Sequence, residues 1–66
     1  MGEIIRQLRE ARGMTRAELA EAVGVGRGAV ANWEAGRSLP RTINAVKLAD
    51  LFEVRLGYLV GWGDGR

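Results

Sequence analysis

The sequence contains no cysteine and no histidine, and its eight acidic residues are scattered along the chain. Without cysteine, neither a disulfide nor a cysteine-rich metal site can stabilise the fold, so apolar packing must do so. The sequence also lacks the side chains that form the commonest nucleophile–base pairs and zinc sites. Its glycine cluster at 24–28 is not followed by the Lys-Ser/Thr of a phosphate-binding loop. We therefore expect no catalytic residue, no metal, no cofactor and no small-molecule substrate.

Long apolar runs are absent too, which argues against a membrane span. The start, Met1-Gly2-Glu3-Ile4, lacks the basic region and apolar run of a secretory signal. We expect a soluble, cytoplasmic protein with no membrane partner. Alternating β-branched runs are missing, whereas helical spacing recurs, so the 66 residues predict one all-α domain.

Charge and apolar content describe what the chain does have. Hydrophobic residues make up 47% of it, which is enough for a small core, and its net charge is only +2. Nearly all the cations are arginine, whose planar fork of donors matches phosphates and guanine edges. A genome-wide codon bias explains the arginine excess equally well, so the count alone does not identify a partner.

The first two helices have clear ends. Helix 1 is predicted from about Gly2 to Arg12, where Gly13 stops it. Thr15 and Glu18 form a capping box, flanked by a hydrophobic staple, and so place the start of helix 2 at Arg16. Helix 2 ends near Val23, before a glycine.

Three further helices follow. The third is predicted from about Arg27 to Glu34 and ends before Gly36. Thr42 is the nearest capping residue for helix 4, and a short helix 5 spans about Leu56 to Val60. The core spacing of helix 4 comprises Ala45, Val46, Leu48, Ala49 and Phe52. We assign residues 1–61 to the domain and residues 62–66 to a flexible glycine-rich tail.

Helices 2 and 3 are short and joined by a tight, glycine-bearing turn, which is typical of a helix-turn-helix unit at about 16–35. Ala20 must be small because the backbone of helix 3 passes close to it. Gly24 must turn the chain where a Cβ would be strained. The positions that lock the helices together are apolar, as this geometry requires: Leu19, Val23, Val25, Val30 and Trp33.

The chain resembles the phage-repressor and Cro-like helix-turn-helix family, also called the XRE family, from about Ile4 to Val60. The most specific part of the resemblance is Trp33-Glu34-Ala35-Gly36-Arg37 followed by Pro40. The other landmarks are Leu8-Arg9-Glu10, Thr15-Arg16-Ala17-Glu18-Leu19-Ala20 and Gly24-Val25. The resemblance implies a compact, lambda-repressor-like bundle of four or five helices that binds operator DNA, often as a two-fold symmetric dimer.

The resemblance also implies roles for matching positions. Those expected to read base edges are Arg27, Gly28, Ala29 and Asn32. Those expected to contact phosphates are Arg16, Arg37, Ser38 and Arg41. Arg9 and Glu34 match an internal ion pair that ties helix 1 to helix 3. Ala20, Gly24, Val30 and Trp33 match structural positions of the motif.

The chemistry of the third helix agrees with this assignment. Residues 27, 28, 31 and 32 lie away from the Val30/Trp33 face on a helical wheel. Arg27 can donate to guanine O6 and N7, and Asn32 can pair with adenine N6 and N7. Ala29 can touch a thymine methyl group.

Two glycines depart from the family pattern. Gly26 stands where Ser or Thr usually caps helix 3, and Gly28 lies in its first turn, where a polar reader is common. We expect few side-chain readers, dominated by Arg27 and Asn32. Three alternatives stay open: specificity is modest, it depends on DNA shape, or the glycines let the backbone approach DNA closely.

Two functions remain open from the sequence. The first is a sequence-specific transcriptional regulator, a repressor of phage or prokaryotic type, bound as a homodimer to a palindromic operator. The second is an antitoxin-like protein-interaction module on the same fold. Recovery of a protein partner in a pull-down, together with no shift of DNA, would favour this second function. Tyr58, Leu59 and Trp62 fit either core packing or a dimer contact.

Overall fold

Five helices joined by short turns form the fold of residues 1–61, the part of the chain that this computed structural model describes. The predicted tail, residues 62–66 with Trp62, lies outside the described residues. The predicted all-α architecture is confirmed, with no strand among the residues described. Within that range no helix is long and apolar enough to cross a bilayer. The helices are α1 (Gly2–Ala11), α2 (Arg16–Val23), α3 (Arg27–Ala35), α4 (Thr42–Phe52) and α5 (Leu56–Val60).

The predicted capping box starts α2. The Thr15 hydroxyl accepts from the Glu18 backbone N–H at 3.0 Å, and the Glu18 carboxylate accepts from the Thr15 N–H at 2.8 Å. Upstream, α1 ends at Ala11, one residue before the predicted Arg12, and Gly13 follows with a left-handed φ of 67°. Two local signals therefore turn the chain between α1 and α2 without tertiary help.

The turn between α2 and α3 is equally local. Gly24 has a φ of 87°, and its N–H and that of Val25 donate to the Ala20 carbonyl at 2.8 and 2.9 Å. Gly26 is extended and serves as the N-cap of α3, which ends at Ala35, one residue beyond the prediction. The two helices are thereby held in close contact.

All five helices contribute to one apolar core. Helix α3 packs on both α1 and α2, and α4 packs on α2 and α5. Leu59 is fully buried, which decides between the two interpretations of this residue in favour of the core. The buried apolar residues are Ile5, Leu19, Ala20, Val23, Val30, Trp33, Ala45, Leu48, Ala49, Phe52 and Leu59.

Helix α4 differs from the prediction at its start and on one face. Thr42 is the first helical residue, not the cap; the N-cap is Arg41, with no side-chain capping bond. Val46 is 42% exposed, because the buried positions of α4 follow an i, i+3, i+4, i+7 stripe that leaves residue 46 at its edge. The helix ends at Phe52, and its C-cap, Glu53, is the one non-glycine residue with a positive φ (58°) among the described residues.

The start of α1 is packed against the end of α3. A Cβ built on Gly2 would lie 2.9 Å from the carbonyl oxygen of Glu34 and closer still to that of Trp33. Real Cβ atoms do not approach backbone oxygens this closely, so any larger residue must displace one helix.

Gly2→Ala is therefore expected to lower the free energy of unfolding by about 1–2 kcal/mol, as overpacking does. Gly28→Ala is the matched control, since a Cβ there meets open space inside α3. That control is expected to gain up to ~1 kcal/mol from helix propensity. Urea unfolding followed by circular dichroism measures both, and an unchanged or raised midpoint for Gly2→Ala would contradict the packing argument.

Candidate nucleic-acid interface

The first turn of α3 is open to solvent. Arg27 and Gly28 are exposed, and no acidic group among the described residues forms an ion pair with Arg27. Ala29 is half-buried and packs on the edge of the core, so only part of its methyl group faces outward. Val30 and Trp33 are buried on the opposite side. The helix thus presents one polar face while the other is anchored in the core.

Asn32 continues the outward face of α3 and contacts the loop that follows. It is half-buried, and its Oδ1 accepts from Arg37 Nη1 at 3.4 Å, a long and weak hydrogen bond. The Arg37 backbone N–H donates to the Asn32 carbonyl at 2.9 Å. The backbone bond closes the C-terminal end of α3, and the Asn32 carboxamide keeps its NH2 group for another partner.

The loop between α3 and α4 is largely exposed. Arg37, Ser38 and Arg41 all face solvent, and neither arginine forms an ion pair with an acidic group in the described part of the chain. Leu39, to which the sequence pattern assigned no role, lies between them in the chain and is 73% exposed. Pro40 is half-buried and leads the chain back toward the core. The loop adds two unneutralised cations to the end of the α3 surface.

A shared carboxylate joins three helices behind this surface. Glu34 Oε2 accepts from Arg9 Nε at 2.7 Å, and Glu34 Oε1 accepts from Arg9 Nη2 at 3.2 Å and from Arg16 Nε at 3.0 Å. The side chains of Glu34 and Arg9 are only 3% and 10% exposed. Arg9 Nη1 also donates to the Met14 carbonyl at 2.8 Å. The structure therefore contains the Arg9–Glu34 pair and adds Arg16 to it.

The network shifts the acid–base behaviour of both buried partners. Burial by itself opposes ionisation of Glu34 and is the largest single influence on it. The hydrogen bonds and charges of Arg9 and Arg16 together outweigh burial, so the pKa of Glu34 is lowered. The hydrogen bond to Glu34 is the main reason that the pKa of Arg9 is raised. Both groups are consequently charged at neutral pH.

The expected site residues fall into two groups along α3. Glu34, Arg16 and Arg9 meet near the end of the helix, and Asn32 meets Arg37 there. Arg27 lies at the other end, about 10 Å away at the usual helical rise. Within residues 1–61, no side-chain hydrogen bond or ion pair joins Arg27 to Asn32, Arg16 or Arg37. The structure thus brings several of the expected residues together near the C-terminal end of α3, whereas Arg27 lies at its N-terminal end.

A lysine next to the C-terminal end of α2 could not be predicted from the sequence. Lys47 Nζ, on α4, donates to the Val23 carbonyl at 3.5 Å, at the C-terminal end of α2. A cation there interacts favourably with the helix dipole. Only the packing of α4 on α2 brings residues 23 and 47 together.

A helix-turn-helix family model matches residues 5–59, which includes α2, the turn and α3. The chain belongs to this helix-turn-helix family. The resemblance inferred from the Trp33–Pro40 segment is confirmed. The matched range also includes α4 and most of α1 and α5, so membership concerns the whole bundle.

Two relatives extend the comparison. The chain is 35% identical over 60 residues to the uncharacterized HTH-type transcriptional regulator YobD of Bacillus subtilis (strain 168). The match covers 91% of this chain and 54% of that relative, so the chain spans about half of its length. The fold is similar to the crystal structure of the P22 c2 repressor protein in complex with a synthetic operator. That match has a TM-score of 0.84 and 31% identity, and it covers 88% of each chain.

The lowered pKa of Glu34 predicts a specific loss of stability in acid. At neutral pH Glu34→Gln should lower the free energy of unfolding by roughly 3 kcal/mol, because Arg9 loses its buried counter-charge. The contribution of Glu34 is present above its unfolded pKa of 4.5 and is lost as the pH falls through the lower folded value. The difference between wild type and Glu34→Gln should therefore shrink between pH 7 and pH 3.

Thermal unfolding at several pH values measures this difference. Glu21→Gln is the matched control, because Glu21 is exposed on α2 and forms no ion pair in the described structure. Its unfolding should differ little from wild type at any pH. If the difference in stability between wild type and Glu34→Gln stayed constant down to pH 3, the charge of the Glu34 carboxylate would not be the source of its stabilising effect.

Proposed function

We propose that this chain binds double-stranded DNA sequence-specifically, with α3 in the major groove, as the DNA-binding domain of a transcriptional repressor. The observation that carries the proposal is the arrangement of α3, whose exposed Arg27 and outward Asn32 stand opposite the buried Val30 and Trp33. An α-helix anchored in this way fits the width of the major groove. The likeness to a repressor whose structure contains an operator supports the same function.

The side chains divide into base readers and phosphate contacts. Arg27 donates to guanine O6 and N7, and the Asn32 carboxamide binds an adenine edge. Gly28 lets the backbone approach the groove, and Ala29 offers the exposed part of its methyl group to a thymine. The residues that contact phosphates, and so fix the position of α3 without reading sequence, are Arg16, Arg37, Ser38 and Arg41.

The low net charge is compatible with DNA binding because the cations are not spread evenly. Glu18 is engaged in the capping box and Glu34 in the buried network, so neither opposes a phosphate directly. Arg27, Arg37 and Arg41 project from α3 and its loop without acidic partners in the described range. Each phosphate that they neutralise releases counterions and makes the affinity dependent on salt.

The proposal includes a homodimer on a palindromic operator, acting in the cytoplasm. Tyr58 on α5 is 48% exposed, whereas its neighbour Leu59 is buried. An exposed aromatic side chain near the end of the domain favours association with a second copy. Two copies related by a two-fold axis would contact half-sites about 10–10.5 bp apart.

Arg27→Ala is expected to weaken binding to the preferred duplex by about 1–3 kcal/mol and to relax base preference at one position. Binding titrations on a set of duplexes that vary one base pair at a time measure both effects. Equal weakening on every duplex would argue that Arg27 contacts phosphate and does not read a base.

Arg37→Ala should weaken binding to all sequences alike and reduce the slope of log affinity against log salt by about one. Arg6→Ala is the matched control. Arg6 lies on α1, where it pairs with Glu3 and Glu10, and its loss changes the net charge equally. If Arg6→Ala flattened the salt slope as much as Arg37→Ala, the loop would have no special role.

Selection of bound DNA from a random pool tests the function and the symmetry together. We expect an inverted repeat whose half-sites are separated by about one helical turn. Recovery of a single half-site would contradict the dimer and leave DNA binding intact. Recovery of no preferred sequence, together with capture of a protein partner, would favour the interaction-module alternative.

A further inference from the structure

We propose that Glu34 is a positioning residue: its carboxylate holds the guanidinium of Arg16 in the orientation that contacts a DNA phosphate. The inference rests on the proposed function, because it presupposes a duplex on this face. It goes beyond that function by assigning a buried acid, which touches no DNA itself, a part in binding.

Arg9 is not the residue that faces a phosphate, because each of its three nitrogens already donates inside the protein and its side chain is buried. Its Nε and Nη2 donate to the two oxygens of Glu34 at 2.7 and 3.2 Å, and its Nη1 donates to the Met14 carbonyl at 2.8 Å. Its side chain is only 10% exposed. Arg9 therefore neutralises Glu34 and locks α1 to α3.

Arg16 uses only one of its nitrogens. Its Nε donates to Glu34 Oε1 at 3.0 Å, and the side chain remains 54% exposed. The two terminal nitrogens of a guanidinium carry further N–H donors, and none of them has an acceptor within residues 1–61. Because the group is planar, fixing its Nε edge also fixes the direction of the remaining donors.

The charges around Glu34 leave the Arg16 guanidinium attractive to an anion. Two guanidinium groups share the Glu34 carboxylate, so Arg9, Glu34 and Arg16 together keep one positive charge. The nearest further carboxylate, that of the exposed Glu10, pairs at 3.7 Å with Arg9, and Arg16 has no acidic partner besides Glu34 within residues 1–61. Paired N–H donors on a guanidinium match two phosphate oxygens. Glu34 belongs to α3, so a phosphate bound by Arg16 is held at a defined position relative to the helix that reads bases.

Lysine cannot replace arginine in this arrangement. The lysine ammonium is a single compact charge without a planar pair of donors. A lysine that binds Glu34 therefore cannot present such a pair to a phosphate, and a lysine that binds the phosphate must give up its contact with Glu34. Because Glu34 already orders the Arg16 side chain in the free protein, DNA binding costs less conformational entropy. This effect is worth about threefold to tenfold in affinity.

The first experiment compares Arg16→Lys with Arg41→Lys on the duplex selected from the random pool, using fluorescence anisotropy at one salt concentration. Arg41 is the control, because it is exposed and has no acidic partner in the described range. We expect Arg16→Lys to weaken binding about tenfold and Arg41→Lys about threefold or less. Equal losses for the two variants would overturn the inference.

The second experiment repeats Arg16→Lys in the Glu34→Gln background. If Glu34 positions Arg16, the substitution should weaken binding about threefold or less there, since the charged carboxylate that anchors Arg16 is already gone. A loss that stays near tenfold would overturn the inference. Circular dichroism, with Glu21→Gln as the control, verifies that the background variant is folded.

If Glu34→Gln does not fold, nitrogen-15 NMR of the free wild-type protein replaces it. The Arg16 Nε–H should give a slowly exchanging signal at neutral pH like that of Arg9, and a rapidly exchanging Arg16 signal would overturn the inference. Failure here is distinct from failure of the proposed function. If Arg27→Ala and Arg37→Ala weaken binding but Arg16→Lys behaves like Arg41→Lys, only the positioning role is wrong.

Discussion

The close contact between α2 and α3 is the constraint on which the other features of this domain depend. It requires a small side chain at Ala20, where burial is almost complete, and a left-handed residue at Gly24. Because the turn is only a few residues long, it leaves α3 little freedom relative to α2. Burial of Val30 and Trp33 then determines which face of α3 is turned outward. A change in this contact would rotate the exposed polar face along with the buried one.

Glu34 gives the same helix a second anchor at its other end. A carboxylate that is 3% exposed is stable only when its charge and its lone pairs are satisfied, and two arginines do this here. Arg9 links α3 to α1, and Arg16 links it to the start of α2. The domain thus uses a buried ion pair to fix the orientation of a helix whose apolar face alone is small.

The sequence predicted most of the helix boundaries, because their signals are local. The capping box at Thr15 and the glycines at 13, 24 and 36 act within one turn of the chain, and each is found where it was expected. The boundaries of α4 were harder to predict. It begins after Arg41 with no side-chain cap and ends at Phe52, where the C-cap, Glu53, adopts a conformation that favours glycine. Backbone hydrogen bonds from the Glu53 and Val54 N–H groups to the carbonyls of Asp50 and Ala49 close that end, so no side chain marks it in the sequence.

By itself, the sequence determined that this protein is a helical bundle with a helix-turn-helix at 16–35, because helical periodicity, caps and glycine turns are short-range properties. Only the tertiary structure decided which distant groups meet. It placed Arg16 on the carboxylate of Glu34 and packed Gly2 against the carbonyl groups at the end of α3. It also exposed Val46. Such contacts join residues far apart in the chain, and their geometry depends on how whole helices pack.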